Sequence, residues 1–125
     1  IRVLGVLEVR RLTPDLRPAA IDLAIRDLTE SGRHREIVVS LCRQIVEGAI
    51  DWESIEGSDF AFPDLISAAL PSIHLRRELG AVAGVIEAGH IDVNQLEASR
   101  PDDLNPSEAR LFAEAIESLR LQFGH

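Results

Sequence analysis

Apolar residues recur along this chain at helical rather than strand spacing, and one stretch stands out. In His34–Ile50, HREIVVSLCRQIVEGAI, the apolar positions are Ile37, Val38, Val39, Leu41, Cys42, Ile45, Val46, Ala49 and Ile50. Projected at about 100° per residue, they cover an arc of about 220°. Glu36, Ser40, Arg43, Gln44 and Glu47 fill the remainder. A helix in an ordinary surface position shows a narrower stripe. This one is expected to touch neighbours on two sides and to be the central helix of an all-α domain.

The flanking pattern agrees. Pro18–Ser31 reads as a helix with Ala20, Ile21, Ala24, Ile25 and Leu28 inward, and Gly32 is placed for a left-handed C-terminal cap. The loop to His34 is so short that the two helices should form an antiparallel hairpin. In DWESIEGSDFAFPD, the acids Asp51, Glu53, Glu56 and Asp59 alternate with Trp52, Ile55, Phe60 and Phe62. The pattern predicts a short helical turn, a break at Gly57, and a loop that plugs its aromatics into the core. Pro63 opens a brief helix to Leu70, and Pro71 breaks or kinks the chain. A helix over Ser72–Ala88 would carry Leu75, Leu79, Val82 and Ile86 as a narrow seam and end at Gly89. His90–Arg100 reads as a short helix or turn using Ile91, Val93 and Leu96. Asn105, Pro106 and Glu108 make the strongest helix start in the chain, a capping box, with Phe112, Ala115, Ile116, Leu119 and Phe123 inward and Gly124 as the stop.

Residues 1–12 are ambiguous. Ile1, Val3, Leu7 and Val9 alternate as in a strand, whereas Val3, Leu4, Val6 and Leu7 share a helical face. No other stretch offers a strand to pair with, so a helix is favoured; the alternative is a strand that pairs with a second copy or with residues elsewhere. The expectation is a compact bundle of five to six helices, antiparallel hairpins around a central helix at 34–50. The hairpin Pro18–Ile50 has the layout of a helical repeat, but Pro63–Ala88 does not reproduce its landmarks, and a repeat array needs about three stacked units.

Composition adds to this picture. A chain of 125 residues is long enough for one domain with a real core, here taken as 1–125. The start at Ile1 and the lack of Met suggest a piece of a longer polypeptide. The net charge of −8 opposes a phosphate backbone and favours a basic partner or simple solubility, so neither nucleic acid nor membrane is expected as a partner. Every basic residue is Arg, which reads as codon usage rather than chemistry. The single cysteine, Cys42, forbids an internal disulfide, suits a reducing, cytoplasmic setting, and lies within the apolar arc, where an inert buried thiol is expected.

Candidate chemistry is sparse. None of His34, His74, His90 and His125 stands four residues from another, so the helical zinc spacing is absent. A site from His74, His90 and a carboxylate bracketing one helix is the remaining metal reading, and a His-based metal binder or hydrolase ranks last. A calcium loop counted from Asp51 fails, with Ile55 at an oxygen position and Phe62 at the twelfth. Ser58-Asp59 has the reverse order of a phosphopantetheine carrier. The pairs Asp51 with Glu53, and Asp102 with Asp103, read as solvated charge.

Gly80 and Gly84 share a face roughly opposite the Leu75–Ile86 seam. Glycine inside a helix costs about 1 kcal/mol relative to alanine. A close helix crossing would offset that cost, either inside the domain, which is favoured, or across a homodimer. Arg33, His34 and Arg35 gather at a helix N-terminus, against the macrodipole, and are candidates to contact a carboxylate or phosphate. The leading expectation is therefore a non-catalytic helical interaction or regulatory domain, with no cofactor and another protein as partner. The alternative is a small acidic inhibitor or immunity-type protein whose segment Asp51–Phe62 enters a basic enzyme. The candidate interaction residues are Arg33, His34, Arg35, Asp51, Trp52, Glu53, Glu56, Asp59, Gly80 and Gly84.

Overall fold

The computed structural model describes residues 15–123. Residues 1–12, where a helix is favoured, and the terminal Gly124 and His125 lie outside them. Every element among the described residues is helical: α1 (Arg17–Glu30), α2 (His34–Val46), α3 (Trp52–Glu56), α4 (Phe62–Ala69), a 3-10 turn (Leu70–Ser72), α5 (Arg76–Glu87), α6 (Val93–Ala98) and α7 (Pro106–Phe123). The architecture is an all-α bundle. Its helices outnumber the expected five to six because short stretches that read as turns, such as Trp52–Glu56, close into helices of their own.

Helix α2 is the centre. It packs against α1, α4 and α5. Ile37, Val38, Leu41 and Cys42 have no measurable exposure, and Val39 and Ile45 are also buried. Burial pushes the Cys42 thiol up to about 12, which leaves it protonated and inert.

The helix is shorter than the expected 34–50. It ends at Val46 because Gly48 adopts φ +79°. The Gly48 amide then donates to the Ile45 carbonyl (3.1 Å) and the Ala49 amide to the Gln44 carbonyl (2.8 Å). Both bonds satisfy carbonyls that the helix end leaves open. Val46 is consequently half exposed, and Ile50 reaches the core only after the chain has turned. Gly32 and Gly89 close α1 and α5 in the same left-handed way, as their positions predict.

The second correction concerns α5, which starts at Arg76 rather than Ser72. Pro71 diverts the chain into the 3-10 turn. Leu75 precedes the helix in extended conformation and is half exposed, so it forms no part of a seam. Held between α2 and α7, α5 buries Val82, Ala83 and Val85, while Leu79 and Ile86 stay at the edge. Two neighbours select a broader arc than one would. In α7 the sequence reading holds: Asn105 and Glu108 exchange side-chain-to-backbone hydrogen bonds (2.8 and 3.0 Å), and Phe112, Ala115, Ile116 and Leu119 are buried.

Two contacts fix the remaining geometry. The buried Ser67 hydroxyl donates to the Leu96 carbonyl (2.6 Å), tying α4 to a helix too short to satisfy its own last carbonyls. Where α5 passes the end of α2, a Cβ added to Gly84 would lie 2.8 Å from Val46 Cγ2, whereas one added to Gly80 would meet nothing within 4 Å. Gly80→Ala is therefore expected to raise stability by about 1 kcal/mol, the helix-propensity difference. Gly84→Ala should gain less or lose stability, and should recover the full gain only in a Val46→Ala background. Urea unfolding of the four variants measures the coupling; equal gains at both glycines would show that the crossing is not tight.

Candidate functional site

The acidic-aromatic segment after α2 supplies the most site-like feature, by a route that the sequence reading only half anticipates. Asp51 caps α3. Its carboxylate accepts from the Ser54 amide (3.2 Å) and hydroxyl (2.9 Å), and from Arg17 Nη1 on α1 (2.8 Å). Burial acts to raise the Asp51 pKa, but the hydrogen bonds from Ser54 and Arg17 outweigh it and hold the carboxyl below its ordinary value. This candidate is thus fully engaged within the fold. Asp59 is anchored through its backbone: its amide donates to both carboxylate oxygens of Asp22 on α1 (2.8 and 3.1 Å). Asp22 is raised in pKa, first by burial and also by the Asp59 charge.

With both ends tied to α1, the segment presents its aromatics to a shallow groove of 260 Å³ beside α3, α4 and the start of α6. Trp52 lies parallel to the His90 ring, with centroids 4.6 Å apart and planes at 13°. Phe62 meets Trp52 edge-on, with centroids 5.9 Å apart. Phe62 is buried, but Trp52 and Phe60 are only partly so, so the aromatics both plug the core and line the groove. Glu56 lines the same groove; Glu53 and Glu56 are exposed and make no ion pair among the described residues.

Sequence reasoning did not place His90 here, weighing it as a metal ligand against a solvated or core-edge histidine. The readable signal was Gly89, whose left-handed turn sends His90 back towards α3. The box Asp92–Gln95 was likewise legible: Gln95 N donates to Asp92 Oδ1 and Asp92 N to Gln95 Oε1, both at 2.8 Å, and this fixes the chain just after His90.

The other candidates do not converge. Arg33 pairs with Glu36 in the first turn of its own helix, with Nε 2.9 Å from the carboxylate. Arg35 reaches across to Glu78 on α5 (3.8 Å). The positive charge at this helix start is therefore met by acids, and the cluster expected to contact a phosphate is divided between two internal pairs. His34 is partly exposed beside them. His74 faces the groove between the 3-10 turn and α7, a different one from that of His90. No group of three or more His, Cys, Asp or Glu side chains among the described residues is arranged to hold a metal. Gly84 belongs to the α2–α5 crossing, and Gly80 is exposed. No helix among the described residues is long and apolar enough to cross a membrane.

Compared with known proteins, the chain matches no family model, no curated protein and no solved structure.

The two carboxylates tied to α1 should respond oppositely to acid. Asp51, lowered in the fold, contributes stability above its unfolded pKa near about 3.9, and that contribution disappears as pH falls through the folded value. Asp22, raised in the fold, binds its proton more tightly when native, so its ionised form opposes folding at neutral pH. Asp51→Ala should cost about 1 kcal/mol at neutral pH, the usual value of an N-cap, with the deficit shrinking below about pH 4. Asp22→Asn should leave the protein at least as stable at neutral pH, any gain fading on acidification. Urea midpoints across pH 3 to 7 read both signs.

Proposed function

We propose that this chain is a non-catalytic helical interaction or regulatory domain of a larger polypeptide, acting through another protein. The observation that carries the reading is the fate of its polar side chains. Asp51, Asp92 and Asn105 cap helices. Arg17, Arg33, Arg35 and Arg120 pair with acids of the same chain. Cys42 is sealed in the core. Among the grooves that stay open, the one beside α3 has aromatic walls and an acidic edge, the composition of a recognition surface rather than of a nucleophile with its base.

One observation favours a second reading, the acidic inhibitor. Glu53, Glu56 and Asp59 are all exposed on the segment that carries Trp52, Phe60 and Phe62, so the same stretch could enter a basic enzyme site as one unit. Binding of that kind is steered by charge and weakens steeply with salt.

Selection of a random peptide display library on the intact chain tests the main reading. The selections are expected to converge on one motif, and the selected peptide should bind saturably and be recovered chemically unchanged after long incubation. Failure to converge, or a peptide cleaved or modified, would overturn it. Salt-sensitive binding to a basic enzyme that blocks its activity, lost when Glu53, Glu56 and Asp59 are neutralised, would favour the inhibitor over the general interaction domain.

A further inference from the structure

We propose that the aromatic groove receives an arginine side chain from the partner protein. The inference rests on the interaction reading above and names the chemistry of the contact. Two features of the groove point to a cation. Its walls include the partly exposed rings of Trp52 and Phe60, and an aromatic face attracts a positive charge; His90 covers one face of Trp52, and Phe62 is buried behind it. Its one carboxylate is Glu56, exposed and without a basic partner among the described residues; no Arg contributes to the lining, and its one histidine, His90, is stacked on Trp52.

Arginine fits this combination better than lysine. Its planar guanidinium stacks on an aromatic face, pairs with a carboxylate through two parallel donors, and gives up water more readily than an ammonium. The apolar stem would lie along Phe60 while the head group engages Glu56. An acidic peptide would face Glu56, Glu53 and Asp59, with no arginine in the groove to pair with it.

Trp52 is the only tryptophan in the chain, so its indole N–H gives one unambiguous reporter in a two-dimensional nitrogen–proton spectrum. The probes are acetyl-Ala-Leu-Arg-Leu-Ala-amide and the same peptide with citrulline, the neutral near-isostere of arginine. The arginine peptide is expected to shift the Trp52 indole signal saturably at millimolar concentration, and the citrulline peptide to bind about tenfold more weakly. Glu56→Gln, at an exposed position that the fold does not use, should weaken the arginine peptide several-fold and leave the citrulline peptide unchanged. Glu117→Gln, on the exposed face of α7, should do neither. Equal binding of the two peptides, no shift of the indole signal, or an equal loss in both variants, which would mean diffuse attraction to an acidic protein, overturns the proposal. Display peptides that converge but leave the Trp52 signal unmoved would overturn this assignment alone and leave the interaction reading standing.

Discussion

The enclosure of α2 is the constraint on which the rest of this molecule depends. A helix whose apolar residues run from Ile37 to Ile45 around more than one face needs cover from several directions, and α1, α4 and α5 provide it. Each covering helix is marginal alone in water at these lengths. Its stability comes from the apolar surface it removes from solvent jointly with α2, at roughly 25 cal/mol per Å². The helices therefore stand or fall together. The tightest point is the passage of α5 over the end of α2, where Gly84 faces Val46 without room for another carbon.

The groove follows from how the chain leaves that centre. Once Gly48 has ended α2, the polypeptide must reverse, and the capped turn at Asp51 and the amide of Asp59 fasten both ends of the reversal to α1. The aromatics within and just after this reversal cannot all be buried, because α3 is only five residues long and presents one short face. Phe62 enters the core, Phe60 stays at the rim, and Trp52 is left against His90 from the far end of α5. A half-buried aromatic cluster with acids at its edge is thus a by-product of two chain reversals that the core requires. Its exposure makes it available for recognition without any cost to the centre of the bundle.

The charged residues behave differently from the apolar ones. Local sequence places Arg33, His34 and Arg35 together, yet the folded chain separates their work: Glu36 lies one turn on, and Glu78 lies on a helix that is distant in sequence. An ion pair of this kind forms only after packing has brought α5 beside α2. The Glu78 Oε1 atom, buried with no hydrogen bond and with Arg35 at 3.8 Å, shows the order of priorities, since helix packing set the separation and the charges adapted to it.

The sequence by itself determined the helical class, the position of the central helix, the inward faces of α1 and α7, and the capping box at Asn105. These depend on periodicity and on side chains reaching backbone groups three residues away, which are local properties. It also located the acidic-aromatic segment as unusual. Only the tertiary structure decided that α2 stops at Val46, that Leu75 faces solvent while Val85 is buried, and that His90 stacks on Trp52. The apolar run through Ala49 and Ile50 concealed the turn at Gly48, because residues on both sides of a reversal can enter the same core. Which arc of α5 is buried depends on how many helices surround it, and His90 meets Trp52 through a turn and an intervening bundle. Neither is written in the spacing of residues along one helix.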